Sequence, residues 1–227
     1  MSLAIQLRDL LRSGIHRIGE LEILTDIHGF PLVICHMADA AHSTEPDFGG
    51  LQVHAGPADA RDLSTYAEDG TYRFTKGQTN LKRGWVMALA NEKDLLLALD
   101  QFYPACVGLF IAQQGGILEI ETLRDKLNRQ TGMYRFARSI SDAGAQKLVQ
   151  EICGPAHQCA KKILWRLDAN TPLDDSEASR FNGIPGIPGD LPASEAIPLL
   201  CREACNHFVA ECRKAAKAEF EAKAAGA

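Results

Sequence analysis

Between residues 85 and 103 the chain reads Trp-Val-Met-Ala-Leu-Ala-Asn-Glu-Lys-Asp-Leu-Leu-Leu-Ala-Leu-Asp-Gln-Phe-Tyr, and its periodicity changes once within that stretch. Trp85–Ala90 is apolar at every position, as a strand covered on both faces must be. From Asn91 the apolar residues recur at helical spacing. Leu95, Leu96, Leu99, Phe102 and Tyr103 form one stripe, and Pro104 ends that helix or begins the next. Upstream the pattern is that of strands; downstream it is that of helices. The predicted fold is α+β, with a β-rich, antiparallel N-terminal region over residues 1–90. A helical, cysteine-rich region follows over 91–227, able to pack with the first as one domain.

Working outward, Ser2 can cap a helix through Leu11 that carries Leu3, Leu7, Leu10 and Leu11 on one face and ends at Gly14. Strands are predicted over Glu20–Thr25 and Pro31–His36, with a turn through Asp26, His28 and Gly29. Ala41–Gly50 reads as loop and Leu51–His54 as a short strand. A second hairpin is predicted around Glu68, Asp69 and Gly70, with Tyr72 and Phe74 alternating on its return strand. Five or six strands are expected. Beyond Tyr103, Ile117–Gln130 reads as a helix with Ile120, Leu123 and Leu127 inward. Asp142 can cap another through Ile152, and His157–Leu167 suggests a short one. A Pro- and Gly-rich loop spans Ala169–Pro198, uncommonly long for a compact domain. A last helix starts near Pro198 and runs into the Ala/Lys/Glu-rich tail.

Composition excludes several classes. Of 227 residues 46% are hydrophobic and 23% charged, which is globular and not disordered. The net charge of −5 argues against wholesale electrostatic binding to nucleic acid. The longest apolar runs, Trp85–Ala90 and Ala105–Ala112, are too short to span a bilayer. No basic segment followed by an apolar stretch opens the sequence, so a cytoplasmic location is expected. Seven cysteines, an odd number, point to thiolate chemistry in a reducing compartment and away from a disulfide framework.

Four of those cysteines form two close pairs on either side of the long loop. The first is Cys153-Gly-Pro-Ala-His-Gln-Cys159, where Gly154 and Pro155 can turn the chain; the second is Cys201-Arg-Glu-Ala-Cys205. On a helix, positions i and i+4 share a face, so Cys201 and Cys205 could grip two corners of one inorganic cluster. Four thiolates are what a [4Fe–4S] cube requires, one per iron. A four-cysteine zinc site uses the same residues, but its pairs usually enclose two to four residues, which five does not match. Cys35 and Cys106, alone in apolar contexts, read as small buried hydrophobes. Cys212 either continues the stripe of Cys201, Cys205 and Phe208 or adds a further thiol. His157 and His207 flank the pairs as neighbours of the ligands.

The pattern C-x5-C followed some forty residues later by C-x3-C resembles the cluster motif of sirohaem-dependent sulfite and nitrite reductases. No counterpart of their sirohaem-binding Arg/Lys motifs is present, so only the cluster spacing carries over. A longer resemblance is to the [4Fe–4S]-binding domain attached to some bacterial sirohydrochlorin cobaltochelatases. It is carried by Gly70-Thr-Tyr-Arg-Phe74, Leu81-Lys-Arg-Gly-Trp85, Leu99-Asp-Gln-Phe-Tyr-Pro104, Arg129-Gln-Thr-Gly-Met-Tyr134, the first cysteine pair with Trp165, and Cys201–Asn206. This resemblance implies that Cys153, Cys159, Cys201 and Cys205 are the cluster ligands. The chelatase domain itself has no counterpart in these residues.

Charge is unevenly spread. Residues 124–166 hold nine Lys/Arg and three Asp/Glu, a balance of +6 against −11 elsewhere. Arg135, Arg138, Lys161, Lys162 and Arg166 can offset a cluster site of net charge near −2 or receive an anionic partner; the plain alternative is a solvated face. Thr122–Gly132 followed by Ser141–Cys153 allows a helix-turn-helix reading, against which stand the long link Met133–Ile140 and the acidic chain. No catalytic constellation stands out, and whether the chain is an enzyme stays open. The leading expectation is a [4Fe–4S] protein of electron transfer or redox sensing, tied to tetrapyrrole metabolism, with a redox protein or an anionic tetrapyrrole as partner. The alternatives are a redox-responsive DNA-binding regulator, a zinc-stabilised interaction module and a tetrapyrrole-modifying enzyme.

Overall fold

A computed structural model describes residues 2–153, 159–167 and 196–225. These divide into two compact units, one of residues 2–117 with 196–199, the other of 118–153, 159–167 and 200–225.

The first unit is built on a six-stranded sheet. Helix α1 (Leu3–Arg12) starts where the Ser2 hydroxyl accepts the Ile5 N–H, and it buries Leu7 and Leu11. Strands β1 (Arg17–Ile18), β2 (Leu21–Ile27) and β3 (Phe30–His36) follow. The β2–β3 hairpin closes with Ile27 opposite Phe30 across His28 and Gly29, both at positive φ (51° and 83°). That geometry is the one that lets a two-residue turn match the twist of the strands. β3 pairs on its other side with β5 (Trp85–Leu89), buried at every position as its uniform apolarity predicts. The strand order, with β4 (Gln52–His54) and β7 (Ala196–Ile197) at the edges, is β4-β5-β3-β2-β1-β7.

The centre of the sheet is antiparallel, but both edge pairings are parallel: β4 with β5 and β7 with β1. The β7 pairing joins residues that lie far apart in sequence, and no local pattern announces it. The stretch Ala41–Gly50, expected as loop, carries α2 (Ala40–Ser43) and a 3-10 turn at Pro46–Gly50, and α3 (Ala60–Leu63) follows β4. The turn at Asp69-Gly70 forms, with the Ala67 N–H donating to the Thr71 carbonyl at 2.7 Å. Its flanks make only the isolated bridges Tyr66–Tyr72 and Ala67–Leu81. Tyr72 and Phe74 are exposed there, so their alternation does not mark a core-facing strand.

Helix α4 (Glu92–Phe102) begins where the Asn91 side chain accepts the N–H groups of Lys93 and Asp94, both at 3.0 Å. It buries Leu95, Ala98, Leu99 and Phe102, and Phe102 stacks on Trp85 at 5.2 Å. With α5 (Cys106–Gln114), α4 belongs to the sheet unit, which therefore extends past the change of period at Asn91. Gly19 is required here: its φ is +57°, and a Cβ would stand 2.7 Å from the Tyr103 ring. That close approach lets the Tyr103 hydroxyl accept the Glu20 N–H at 3.0 Å. Among the described residues no single helix is long and apolar enough to cross a membrane, and the apolar pair α4–α5 is bent by 101°.

The second unit is assembled from short pieces. The helix expected over residues 117–130 is only α6 (Leu123–Asn128), because Thr122 and Asp125 form a capping box that starts it late. Ile117, expected to open that helix, is 76% exposed. A 3-10 helix, Gly132–Ser139, leads to α7 (Asp142–Leu148), capped by Ser141 and not by Asp142: the Ser141 hydroxyl accepts the Gly144 N–H at 3.0 Å. A widened π turn, Val149–Cys153, continues α7. In place of a helix ending at Leu167, Lys162–Ile163 forms strand β6, paired in parallel with β8 (Leu200–Cys201). The last helix, α8 (Asn206–Ala225), starts well after Pro198, since the residues before it are taken up by β7 and β8. The turn residues Gly154 and Pro155, His157 and most of the Pro-rich loop lie outside the described residues. The unit's core comprises Leu123, Leu127, Ala137, Ile140, Ala145, Val149, Trp165, Phe208, Val209, Cys212 and Ala216.

Candidate metal centre

All seven cysteines are free of disulfides. Cys153 ends the π turn and is half-buried. Cys159 opens the segment that leads into β6, and it too is half-buried. Cys201 ends β8 opposite Ile163, and its carbonyl accepts the Leu164 N–H at 2.9 Å. The β6–β8 pairing thereby brings the second cysteine pair beside the segment that begins at Cys159. Cys205 is the exposed residue immediately before α8.

No helix connects Cys201 and Cys205, so they do not share a helix face as their i, i+4 spacing predicts. A strand end presents one and a helix cap the other. Cys205 serves as that cap: its carbonyl accepts the Val209 N–H at 3.0 Å and its Sγ the Phe208 N–H at 3.5 Å. That sulfur therefore sits at the N-terminal end of a 20-residue helix.

The thiols act on one another. Burial first, and then Cys159, Cys201, Cys205 and Cys212, push the Cys153 thiol up. Cys201 is pushed up to about 11, mainly by burial, with Cys159 and Cys205 adding to it and Lys161 and the Trp165 indole opposing it. Burial raises Cys159 as well, against a backbone hydrogen bond from Lys161. The four residues singled out from the sequence thus form one electrostatically coupled group. Mutual repulsion of this kind is relieved when cations are bound between the sulfurs. The chemistry of this donor set, four free thiols with Cys153 packed against the core of Trp165 and Phe208, fits an iron–sulfur cube.

Cys35 in β3 and Cys106 at the start of α5 lie in the sheet unit. Cys212 is fully buried in the core of the second unit, where burial pushes it up to about 12. Among the described residues no three His, Cys, Asp or Glu are gathered closely enough to hold a single metal ion. Tetrahedral zinc would hold its sulfurs about 3.8 Å apart, given zinc–sulfur bonds of about 2.3 Å.

One part of the site was not visible in the sequence reading. Glu203, between Cys201 and Cys205, receives a two-pronged ion pair from Arg129 (2.9 and 3.0 Å) and a contact from Lys126 Nζ at 3.3 Å. Both cations also bind Glu121. Arg129 and Lys126 hold the Glu121 carboxyl down at about 2. Lys126 is fully buried, so these carboxylates are what compensate its charge. The quartet latches the Cys201–Cys205 loop onto α6. The available signal was an acidic residue between two cysteines together with Lys126 and Arg129 at i, i+3 on a helix.

Much of the positive excess is therefore spent internally. Arg124 pairs with Asp142 and donates to the carbonyls of Arg138 and Ile140. Arg135 and Arg138 are exposed, next to the exposed Met133 and Phe136; Lys161 and Lys162 are half-buried. The two helices of the helix-turn-helix reading are joined by the 3-10 helix Gly132–Ser139 and not by a tight turn.

Residues 115–214 match the family described as a 4Fe-4S iron-sulfur cluster binding domain, and residues 6–113 match the DR2241 stabilising domain. The cofactor of the C-terminal region is accordingly a [4Fe–4S] cluster. A solved structure, DR2241 from Deinococcus radiodurans, is similar with a TM-score of 0.70 and 26% identity. It is described as a multi-domain protein with structural similarity to chelatases and two additional novel domains. The match covers 95% of this chain and 41% of that one, so the chain spans less than half the length of DR2241. No curated protein matches.

Proposed function

From a chain whose two parts resemble a stabilising domain and an iron–sulfur domain, we propose that Cys153, Cys159, Cys201 and Cys205 are the four cluster ligands. We propose further that the protein passes or senses single electrons through that cluster, in the cytoplasm and in the service of tetrapyrrole chemistry. The observation that carries this reading is the placement of the four thiols. Three are half-buried and mutually coupled, and the fourth, Cys205, is exposed at a helix N-terminus. Four protein ligands leave no iron open to substrate, while an exposed corner allows electron exchange with a partner. The chelatase likeness of DR2241 supports the tetrapyrrole context.

The exposed Arg135 and Arg138, flanked by Met133 and Phe136, favour an acidic redox protein or a polycarboxylate tetrapyrrole as the docking partner. Such binding weakens as salt rises, because surface charge is screened over about 10 Å at 0.1 M.

The test is anaerobic purification with iron and acid-labile sulfide analysis of the wild type and of single Cys→Ser variants. The wild type should be brown and bleach with dithionite. Substitution at Cys153, Cys159, Cys201 or Cys205 should each lower iron sharply, and Cys35→Ser and Cys106→Ser should not. Stoichiometric zinc without sulfide, or full iron in a variant lacking two of the four, would overturn the assignment.

A further inference from the structure

Trp165 lies in the core of the second unit, 3% exposed, and its indole Nε1 has no hydrogen-bond partner among the described residues. The other tryptophan behaves as buried indoles usually do: Trp85 Nε1 donates to the Lys82 carbonyl at 2.6 Å. An unpaired N–H in an apolar interior is costly and calls for an explanation.

Its surroundings supply one. The backbone on both sides of Trp165 is pinned. The Leu164 N–H donates to the Cys201 carbonyl (2.9 Å), the Arg166 N–H to the Glu121 carbonyl (2.9 Å), and the Arg166 carbonyl accepts the Leu123 N–H (2.7 Å). The indole ring packs 6.5 Å from Phe208, whose own N–H donates to Cys205 Sγ. Trp165 is thus held between the strand end that carries Cys201 and the helix start that follows Cys205. The Cys201 thiol feels the indole as a donor that opposes the effect of burial. The contact itself falls short of a hydrogen bond.

We propose that Trp165 is a positioning residue for charge at the metal centre: its indole N–H donates to sulfur at the Cys201 corner and raises the reduction potential. This rests on the four-cysteine assignment above. Reduction takes one electron from an external donor, makes and breaks no bond, and leaves the indole proton on Nε1. The added negative charge is shared by the sulfurs, and a donor aimed at one of them stabilises the reduced state more than the oxidised one. The donor set at the centre then includes a side chain remote in sequence from the second cysteine pair, together with the Phe208 amide at Cys205.

The experiment has two arms on the cluster-loaded, full-length protein. In the first, dithionite titration compares wild type with Trp165→Phe, which keeps an aromatic ring and removes the donor. The variant should show at least a tenfold lower reduced-to-oxidised ratio at a fixed poise, a shift of ~59 mV to more negative potential for a one-electron couple. In the second, wild-type protein carrying 15N-indole tryptophan is reduced and examined by pulsed EPR. Trp165 should show 15N coupling to the cluster spin, with Trp85 as the uncoupled internal reference. Absence of that coupling overturns the proposal even if Trp165→Phe fails to load. An unchanged potential in a fully loaded variant overturns it as well. Wild-type protein without iron and sulfide would defeat the function reading instead.

Discussion

In the sheet unit the largest inaccessible side chains are Trp85, Tyr103, Phe102, Leu7, Ile18, Leu21, Ile23, Ile34, Leu81 and Met87, gathered by strands and helices up to eleven residues long. Among the described residues, the core of the cysteine unit has eleven members, of which three are alanine. Apart from α8, its α-helices have six or seven residues and its strands two. A small core of short elements cannot offset chain entropy as the sheet unit does. What the second unit has in addition is the latch of Lys126, Arg129, Glu121 and Glu203 and, on the proposed assignment, four thiols that anchor a cluster. The contrast suggests that the first unit folds on its apolar surface and the second on its cofactor, whose binding energy is then folding energy.

Removing the iron tests that contrast most directly. Anaerobic chelation should abolish hydrogen-exchange protection in α6, α7 and the start of α8 while sparing β2, β3, β5 and α4. Equal loss in both units would break the comparison. The next largest effect is expected from the opposite side. Leu99 is fully buried on α4, and Leu99→Ala should cost about 2–5 kcal/mol in urea melts. Iron content should be unchanged in that variant.

A smaller effect sharpens the role of the latch. Glu203→Gln leaves Lys126 and Arg129 with Glu121 alone, so the Cys201–Cys205 loop should open more often and a chelator should strip iron faster. Glu203→Asp should recover part of the difference, since the charge remains. Equal chelation rates for wild type and Glu203→Gln would show that the loop is held by its sulfurs alone.

The smallest effect belongs to the sheet unit. Burial, and then Arg73, lower Lys76 from 10.5 to about 8. Between those pH values the unfolded chain holds a proton that the folded chain has released, so Lys76 makes stability rise with pH. Cys35, raised to about 11 by burial, works in the opposite sense, which makes the variant the proper reference. The stability difference between wild type and Lys76→Met should shift in favour of wild type from pH 8 to 10. A pH-independent difference would sink this assignment.

The strands and α4 were legible because their signals are local: a uniformly apolar run at Trp85–Leu89, an alternation, a cap at Asn91. The helix of residues 117–130 was over-read because Ile117 and Ile120 fall at helical spacing with Leu123 and Leu127, while the Thr122 cap decides where the backbone turns helical. β7 was not legible, since a two-residue strand gains its meaning only from Arg17 and Ile18. Of the proposed metal centre, the two cysteine pairs could be read from their spacing in sequence. The strand end that carries Cys201, the latch through Glu203 and the orphaned indole of Trp165 could not, because each depends on residues brought together from separate segments.

The placement of β7 and β8 has a consequence for synthesis. Only Pro198 and Leu199 separate the strand that completes the sheet edge from the strand that delivers Cys201. As the chain leaves the ribosome, residues up to Ile117 can collapse early, yet the sheet lacks its last edge partner until residue 197 has emerged. The second cysteine pair follows within eight residues, at positions 201 and 205 of 227. Closure of the sheet edge and arrival of the second cysteine pair are therefore nearly simultaneous. On the proposed ligand assignment, the cluster can be completed only once that edge strand has emerged.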